Sequence, residues 1–257
     1  MIVMLFLSSF GIIENNIIHI VRDEIIYSRY SFGYIHPNVV QMQFLMIVCM
    51  YFYLYDYKKS KFIPILFFIL NYILYNYTVS RTSFIITSLI IIYICFFYNN
   101  KKLKSFINRI SSYSYFLVFF ISVLLAKFYS IIPLVDKLDE IFSGRIYYAA
   151  KLFNNYTIPF FGSLNYGDVM FDNSYIYLLF GCGSLFTIIY SYLFFKTLKV
   201  LKKRNMLKEI FYLVIISLYT FTENVFLSFN LNFTIYFFSL FIFETNVIEE
   251  GELNEND

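Results

Sequence analysis

Four of the six arginines in this sequence could bind an anion, because they lie in polar stretches that hold few lysines. They are Arg22, Arg29, Arg81 and Arg145. A guanidinium offers a planar fork of N–H donors that matches two phosphate oxygens at once. Alternatively, these arginines extend to lipid headgroups or form ion pairs within the chain. The acidic residues open to such pairing are Asp23, Glu24 and Asp139.

Arg81 has the most unusual surroundings of the four. It lies in Ser80-Arg81-Thr82-Ser83, between two apolar runs that no Gly or Pro separates. A charge at membrane depth costs several kcal/mol unless it is paired or lines a wet cavity. Arg81 is therefore a candidate for a functional site, and its alternative role is an ion pair between helices with an acid such as Glu223.

The segment Arg29-Tyr-Ser-Phe-Gly-Tyr-Ile-His36-Pro37-Asn38 leads into an apolar run. Pro37 suits the first turn of the helix that follows, because the missing N–H is not needed there. His36 and Asn38 then lie at the outer end of that helix. Histidine changes its protonation near neutral pH, so His36 is either a hydrogen-bonding anchor or a base.

The longest polar segment between apolar runs covers residues 134–172. Six of its residues recur at helical spacing: Leu138, Ile141, Phe142, Arg145, Ala149 and Leu152. This pattern predicts an amphipathic helix that lies in the membrane interface, where Arg145 could reach phosphates.

Two carboxylates, those of Asp172 and Glu223, are candidates for proton transfer. Asp172 directly precedes the next apolar run, where it either caps the helix or accepts a proton beside a wet cavity. Glu223 lies between the last two short runs, where it either pairs with Arg81 or Arg145 or accepts a proton.

Composition assigns these residues to a membrane protein. Hydrophobic residues make up 60% of the chain and charged residues 14%, against about a quarter charged in a soluble domain. We predict an all-α, polytopic helical bundle over residues 1–247, with about eight hydrophobic segments, and an acidic, disordered tail over 248–257. The segments are 1–13, 37–54, 62–79, 83–98, 112–133, 173–195, 209–222 and 231–244.

Basic residues set the orientation of the bundle. The loops 55–61, 99–110 and 196–208 hold 13 of the 20 Lys and Arg residues, which predicts that these loops are cytoplasmic and that 134–172 is extracytoplasmic. The 14–36 and 223–230 stretches and the 80–82 turn then also face outward, and the acidic tail faces the cytoplasm. Lys127 is the other charge predicted inside a span.

The first segment does not indicate a processing site, and the cysteines do not indicate a metal site. Residues 1–13 lack a basic start and a cleavage site, so we do not expect a cleaved signal there. They are also short for a span, so we expect a shallow helix or one whose earlier part is missing. Cys49, Cys95 and Cys182 lie in apolar runs without CxxC spacing, which predicts neither a disulfide framework nor a metal site.

Five stretches together resemble a known family. In chain order they are "RYSFGYIHPN", "SRTSF", "SGRIYYA", "DNSYIYLLFGCGSL" and "TEN". In their order, their spacing and their predicted side of the membrane, these stretches resemble the bacterial O-antigen and capsular polysaccharide polymerases, often called Wzy-like. They also resemble the related O-antigen ligases. The resemblance runs from about Ser8 to Glu244.

The resemblance implies a multi-pass enzyme of the bacterial inner membrane that works on its outer leaflet. Such enzymes are glycosyltransferases that join polyprenyl-diphosphate-linked oligosaccharide repeat units and release the polyprenyl diphosphate, without a metal or other cofactor. The implied partners are the lipid-linked oligosaccharide, the lipid bilayer and other polysaccharide export proteins, with no nucleic acid.

The same resemblance assigns roles to the candidate residues. Arg29, Arg81 and Arg145, with Asn38 and Asn173, would bind the diphosphate and substrate. The base would come from three residues, namely His36, Asp172 and Glu223. Family members usually have more spans, and the related ligases carry a His where Asp172 stands.

Two other functions fit the same pattern of arginines. A flippase or transporter of the lipid-linked oligosaccharide would handle the same diphosphate, and it should show broken helices and a repeated half. A non-catalytic membrane partner of polysaccharide assembly would tolerate replacement of Arg81 and Arg145 by Lys.

Overall fold

The protein is mostly helical, as its composition predicts. A computed structural model describes residues 7–8, 10–22, 25–55, 62–97, 100–163, 165–167, 169–228 and 230–239. The chain divides into two compact units, Met1–Leu103 and Lys104–Asp257, which are described separately below. The acidic tail and most of the predicted first segment lie outside the described residues.

The first unit opens with a β-hairpin that the sequence analysis did not predict. Strand β1 (Ile17–Arg22) pairs antiparallel with β2 (Ile25–Tyr30), and Ile17 lies opposite Tyr30. The all-α expectation therefore needs correction here. Both strands are rich in β-branched residues and Tyr, which pack well on a pleated surface.

Three helices follow in the first unit, and they confirm that the predicted segments at 37–54, 62–79 and 83–98 are helical. They are α1 (Pro37–Leu54), α2 (Phe62–Thr78) and α3 (Arg81–Ile92), the last continuing as a π-helical turn over Tyr93–Phe97. Pro37 occupies the first turn of α1, as its fixed φ predicts.

A buried polar network joins these three helices. Gln41 Nε2 of α1 donates to Asn71 Oδ1 of α2 at 2.6 Å. Asn71 Nδ2 in turn donates to the Phe84 carbonyl and to Ser88 Oγ of α3, both at 3.0 Å. Gln41 and Asn71 are fully buried, so each bond satisfies a group that would otherwise lose its hydration. The network therefore fixes how the three helices face each other.

The second unit is built on two long apolar helices with shorter elements around them. The helices are α4 (Lys101–Phe128), α5 (Pro133–Ile141), α6 (Arg145–Asn155), α7 (Ser174–Ile176), α8 (Ser184–Lys203) and α9 (Leu207–Tyr219). Helix α7 continues as a π-helical turn over Tyr177–Cys182, and a 3₁₀-helix spans Phe233–Phe237.

Among the described residues, α1, α4 and α8 are long and apolar enough to cross a membrane, and α2 and α3 are shorter apolar helices. The predicted number of about eight spans and their orientation stay predictions. Of the last predicted segment, 231–244, the described part holds the 3₁₀-helix.

Helix α4 corrects a predicted boundary. It begins at Lys101 and ends at Phe128, whereas the apolar run predicted 112–133. The apolar run placed the start of the helix too late, because the first turns of the helix are polar and hydropathy does not detect polar helical turns. Ser130 adopts a left-handed φ of 62° and Pro133 starts α5, so the helix cannot continue. Lys127 consequently lies in the last turn of α4, with its ammonium near the ring of Phe153.

The predicted span 173–195 is interrupted at Gly183, which has a φ of 93°. A segment of the preceding loop packs its backbone against the break. Ser184 N donates to the Pro159 carbonyl at 2.9 Å, and Leu185 N donates to the Phe160 carbonyl at 3.2 Å. The loop thus satisfies backbone groups that the break would leave unpaired, as an apolar environment requires.

Aromatic side chains form the core of the second unit around Tyr115. Its ring centroid lies 4.7 Å from that of Phe194 and 5.2 Å from that of Tyr175. Tyr175 packs on Phe226 at 4.9 Å, and its hydroxyl donates to the Ser217 carbonyl at 2.9 Å. The start of α7 is thereby held against the chain that follows α9.

Replacing Gly183 with Ala should destabilise the second unit strongly. A Cβ there would collide with the backbone N of Gly162 and lie 2.6 Å from the Phe160 carbonyl oxygen, at a φ of +93°. We expect a loss of more than about 3 kcal/mol, measured as thermal unfolding of the detergent-purified protein. Gly167→Ala is the matched control, since Gly167 also has a positive φ but nothing lies within 4 Å. It should cost only about 1–2 kcal/mol, and equal losses at both positions would contradict the account.

Candidate functional site

A tight turn places Arg145 at the start of α6. Ser143 and Gly144 both adopt left-handed conformations, with φ values of 60° and 82°. This turn divides the single amphipathic helix that the spacing predicted into α5 and α6, which corrects that expectation. Of the predicted apolar positions, Ala149 and Leu152 of α6 are buried, whereas Ile141 of α5 is exposed. A location of these helices in the membrane interface stays a prediction.

Asp139 of α5 fixes the first turn of α6. Its Oδ1 accepts the backbone N–H of Ile146 at 2.7 Å, and its carbonyl accepts the N–H of Gly144 at 3.0 Å. The carboxylate therefore takes the place of an N-cap side chain for α6. Among the described residues Asp139 forms no salt bridge with an arginine, so the pairing considered from the sequence is not observed there.

Arg145 forms two ion pairs of unequal quality. Its Nη2 donates to Glu223 Oε1 at 2.8 Å, while its Nε lies 3.6 Å from Asp172 Oδ2. The Arg145 and Glu223 side chains are 14% and 7% exposed, whereas that of Asp172 is 40% exposed. Of the two partners considered for Glu223 from the sequence, Arg145 is the one observed. Buried, charge-assisted bonds of this length are the strong ones.

The backbone of Glu223 is held as firmly as its side chain. Glu223 N donates to the Tyr219 carbonyl at 3.2 Å, and the Glu223 carbonyl accepts from Ser174 Oγ at 2.8 Å. Ser174 Oγ also accepts the N–H of Val225 at 2.8 Å. The turn after α9 is thus joined to the start of α7, which brings Glu223 near Asp172.

Asn173, and not Asp172, caps α7. Asn173 Oδ1 accepts the N–H groups of Tyr175 and Ile176 at 2.9 and 3.3 Å. The prediction that Asp172 could cap the helix is therefore wrong by one residue. Asp and Asn side chains can both cap, and the position at which the helix starts decides which of the two does so. Asn173 Nδ2 donates to Ser122 Oγ of α4 at 3.0 Å, which ties the cap to the long helix.

Arg145 and Asn173 line a narrow pocket that opens to solvent and has room for about one water molecule. Its polar lining comes from Arg145, Asn173, Ser122 and Thr222, and its apolar walls include Phe142 and Phe221. The sequence analysis missed Ser122 and Thr222. The available signal for Ser122 was a row of residues spaced by three or four, here Ser111, Ser114, Val118, Ser122 and Ala126, all buried on one face of α4.

Arg29, His36 and Asn38 come together in the first unit. Arg29 is 7% exposed. Its Nε donates to the Thr78 carbonyl at 2.7 Å, and its Nη2 donates to Asn38 Oδ1. His36 is the N-cap of α1 and accepts the N–H of Asn38 on Nδ1 at 3.2 Å. This contact shows His36 in a hydrogen-bonding role at the start of α1.

Arg81 is the first residue of α3 and is exposed. It follows Val79, a β-branched residue with a φ of 51°, and Ser80, whose side chain makes no capping bond. Within the described part of the chain, Arg81 has no carboxylate within 4 Å. The helix dipole disfavours a cation at a helix N-terminus. An anion bound there would be stabilised both by the dipole and by the Arg81 guanidinium. Arg29 lies at the same end, because Thr78 is three residues before Arg81.

The candidate residues thus form two groups. In the second unit Arg145 pairs with Asp172 and Glu223, and Asn173 lines the pocket beside Arg145. In the first unit four candidates lie at one end of the helices: Arg29, His36, Asn38 and Arg81. In the described ranges no three His, Cys, Asp or Glu side chains gather as a metal-binding group. No protein-family model, curated protein or solved structure matches this chain.

Asp139 makes the stability of the second unit depend on pH. Burial raises the pKa of its carboxyl by more than the N–H groups of Ile146 and Tyr147 lower it. The folded protein then holds its proton to a higher pH than the unfolded chain, so stability falls as pH rises through the raised pKa. Asp139→Asn keeps the oxygen that accepts from Ile146 but carries no charge.

The free energy of unfolding of Asp139→Asn, minus that of the wild type, should therefore grow as pH rises from roughly 3 to 7. Denaturant titrations at fixed ionic strength measure this difference. Glu140→Gln, an exposed acid on the same helix, controls for the loss of one charge. A difference that shrinks with pH would show that the capping bonds outweigh burial.

Proposed function

We propose that this protein is a membrane glycosyltransferase that polymerises polyprenyl-diphosphate-linked oligosaccharide repeat units into a surface polysaccharide. The proposal includes a multi-pass location in the bacterial inner membrane and reaction on the outer leaflet. One observation carries it. Arg145, Asp172 and Glu223, chosen from the sequence as an anion binder and two bases, form one cluster of ion pairs although up to 78 positions separate them.

The arrangement supports glycosyl transfer in the following way. In the reaction the bond from the sugar C1 to the diphosphate oxygen breaks, and the diphosphate leaves with the electron pair. A bond forms from C1 to the acceptor oxygen, and the acceptor proton passes to a carboxylate. A guanidinium beside the leaving group would stabilise the charge that grows there. Arg145 supplies the guanidinium, and Glu223 and Asp172 are the candidate bases.

The end of the first unit supplies a second cationic region. Arg29 and Arg81 lie there, together with the N-termini of α1 and α3. Helix N-termini and guanidinium groups both favour anions. In the proposal these groups bind the diphosphate of a lipid-linked oligosaccharide, and His36 orients α1 as its cap.

A flippase or transporter of the same lipid is the second candidate, because one observation favours it. The interruption at Gly183 breaks an apolar run, and broken helices are typical of transporter binding sites. However, the first N–H groups of α8 are already bonded to the carbonyls of Pro159 and Phe160. They are therefore not open to a substrate, which makes polymerisation the stronger proposal.

Purified protein in proteoliposomes should extend a lipid-linked repeat unit and release polyprenyl diphosphate. Glu223→Gln should lower the rate by about 10²-fold or more, since it removes a candidate base. Arg145→Lys should also lower it, because an ammonium cannot replace the planar fork. Glu140→Gln and Arg109→Lys, two exposed positions, are the matched controls.

Two results would contradict polymerisation. One is movement of the lipid-linked repeat across the bilayer without extension, which would favour the transporter. The other is full activity of Arg145→Lys and Glu223→Gln, which would favour a non-catalytic partner.

A further inference from the structure

The guanidinium of Arg145 has one nitrogen that the protein holds tightly and one that it holds loosely. Nη2 is hydrogen-bonded to Glu223 at 2.8 Å. Nε lies 3.6 Å from Asp172, which is beyond hydrogen-bond length. Among the described residues, Nη1 has no hydrogen-bond acceptor. The N–H of Nε, and the N–H groups of Nη1 on the far side of the guanidinium, can therefore donate to a further anion.

The two carboxylates on Arg145 differ in what it would cost to move them. Glu223 is buried, and its backbone is bonded to Tyr219 and Ser174, so it is fixed. The Asp172 side chain is 40% exposed, so rotating it away into water costs little. The adjacent Asn173 stays bonded to α7 and to Ser122, so this rotation leaves the pocket wall in place.

We propose that Asp172 is a resident anion beside Nε of Arg145, and that a phosphate or diphosphate group of the ligand displaces it. The inference rests on the proposed function for the identity of the ligand, and it concerns how the same pocket is regulated. Asp172 lowers the affinity of the pocket for the anion and keeps Arg145 paired until the ligand arrives.

Charge balance explains why displacement is needed. Arg145 with Glu223 and Asp172 carries a net charge of −1, because two carboxylates surround one guanidinium. Such a group repels a diphosphate. With Asp172 rotated away, Arg145 and Glu223 form a neutral pair whose remaining donors face the ligand. Glu223 then orients Arg145 through Nη2 while the ligand accepts the N–H of Nε that Asp172 has left.

The test measures binding of geranyl diphosphate, inorganic diphosphate and uncharged geraniol. The full-length protein is used in nanodiscs of neutral lipid at low salt, with isothermal titration calorimetry. Asp172→Asn should bind geranyl diphosphate about five- to tenfold more tightly than the wild type, since it removes one half-exposed negative charge next to the anion. Arg145→Lys should lose most of the affinity of either protein. Glu140→Gln, which also removes one acidic charge, should match the wild type.

The three ligands separate the possible sources of the effect. Tighter binding of both diphosphates supports the inference with the anion alone as ligand, and tighter binding of geranyl diphosphate only supports it with a lipid-linked anion. Equal tightening for geraniol would overturn it, because geraniol carries no charge. Equal or weaker binding of diphosphate by Asp172→Asn, or no binding by any variant, would also overturn it.

A second variant and a separate assay keep the result interpretable. Asp172→Ser should show the same gain, and unfolding temperatures check that both variants fold. The polymerisation assay is scored independently. Tighter diphosphate binding without polymerisation would leave Asp172 as a displaceable anion and would refute the polymerase, whereas polymerisation without tighter binding would refute only the displacement.

Discussion

The second unit depends on the ion pair between Arg145 and Glu223. It joins the start of α6 to the turn after α9 across 78 positions of sequence, through a bond of 2.8 Å between side chains that are 14% and 7% exposed. A buried charge that loses its partner costs several kcal/mol, so each residue requires the other. The turn at Ser143 and Gly144 and the bonds from Ser174 set the positions of the two ends. The pocket, the cap at Asn173 and the loosely held Asp172 are all arranged around this pair.

The rest of the structure is governed by the need to satisfy polar groups among apolar helices. In the first unit, Gln41 and Asn71 bond to each other and to α3. In the second, the loop at Pro159 and Phe160 bonds the backbone exposed by the break at Gly183. Since apolar contacts alone discriminate little between helix faces in a membrane, these few bonds specify which faces meet. Replacing a residue that makes one of these bonds should therefore disturb how the helices pack, even where the hydrophobicity of the chain is unchanged.

Apolar runs alone predicted α1 and α2 closely, because length and hydropathy suffice where a run is bounded by polar residues. They missed the hairpin of β1 and β2, whose strands are short, and the break at Gly183, because glycine is tolerated in apolar helices. For the site, the sequence left open whether Glu223 pairs with Arg81, pairs with Arg145 or accepts a proton, and only the tertiary contacts identify Arg145 as a partner. Asp172 was expected as a cap because sequence sets a helix start only to within a few residues. Ser122 and Thr222 were missed because hydroxyls in apolar runs usually bond to their own helix.

A double-mutant cycle on Arg145 and Glu223 tests the central claim most directly. Arg145→Met, Glu223→Gln and the double variant are compared with the wild type by reversible unfolding in mixed micelles. If the pair holds the second unit together, each single change should cost about 2–4 kcal/mol, because it leaves one buried polar group without its partner. The double variant should then cost at least about 1 kcal/mol less than the sum of the two. Additivity within about 0.5 kcal/mol would show that the two residues act independently, and the account would be wrong.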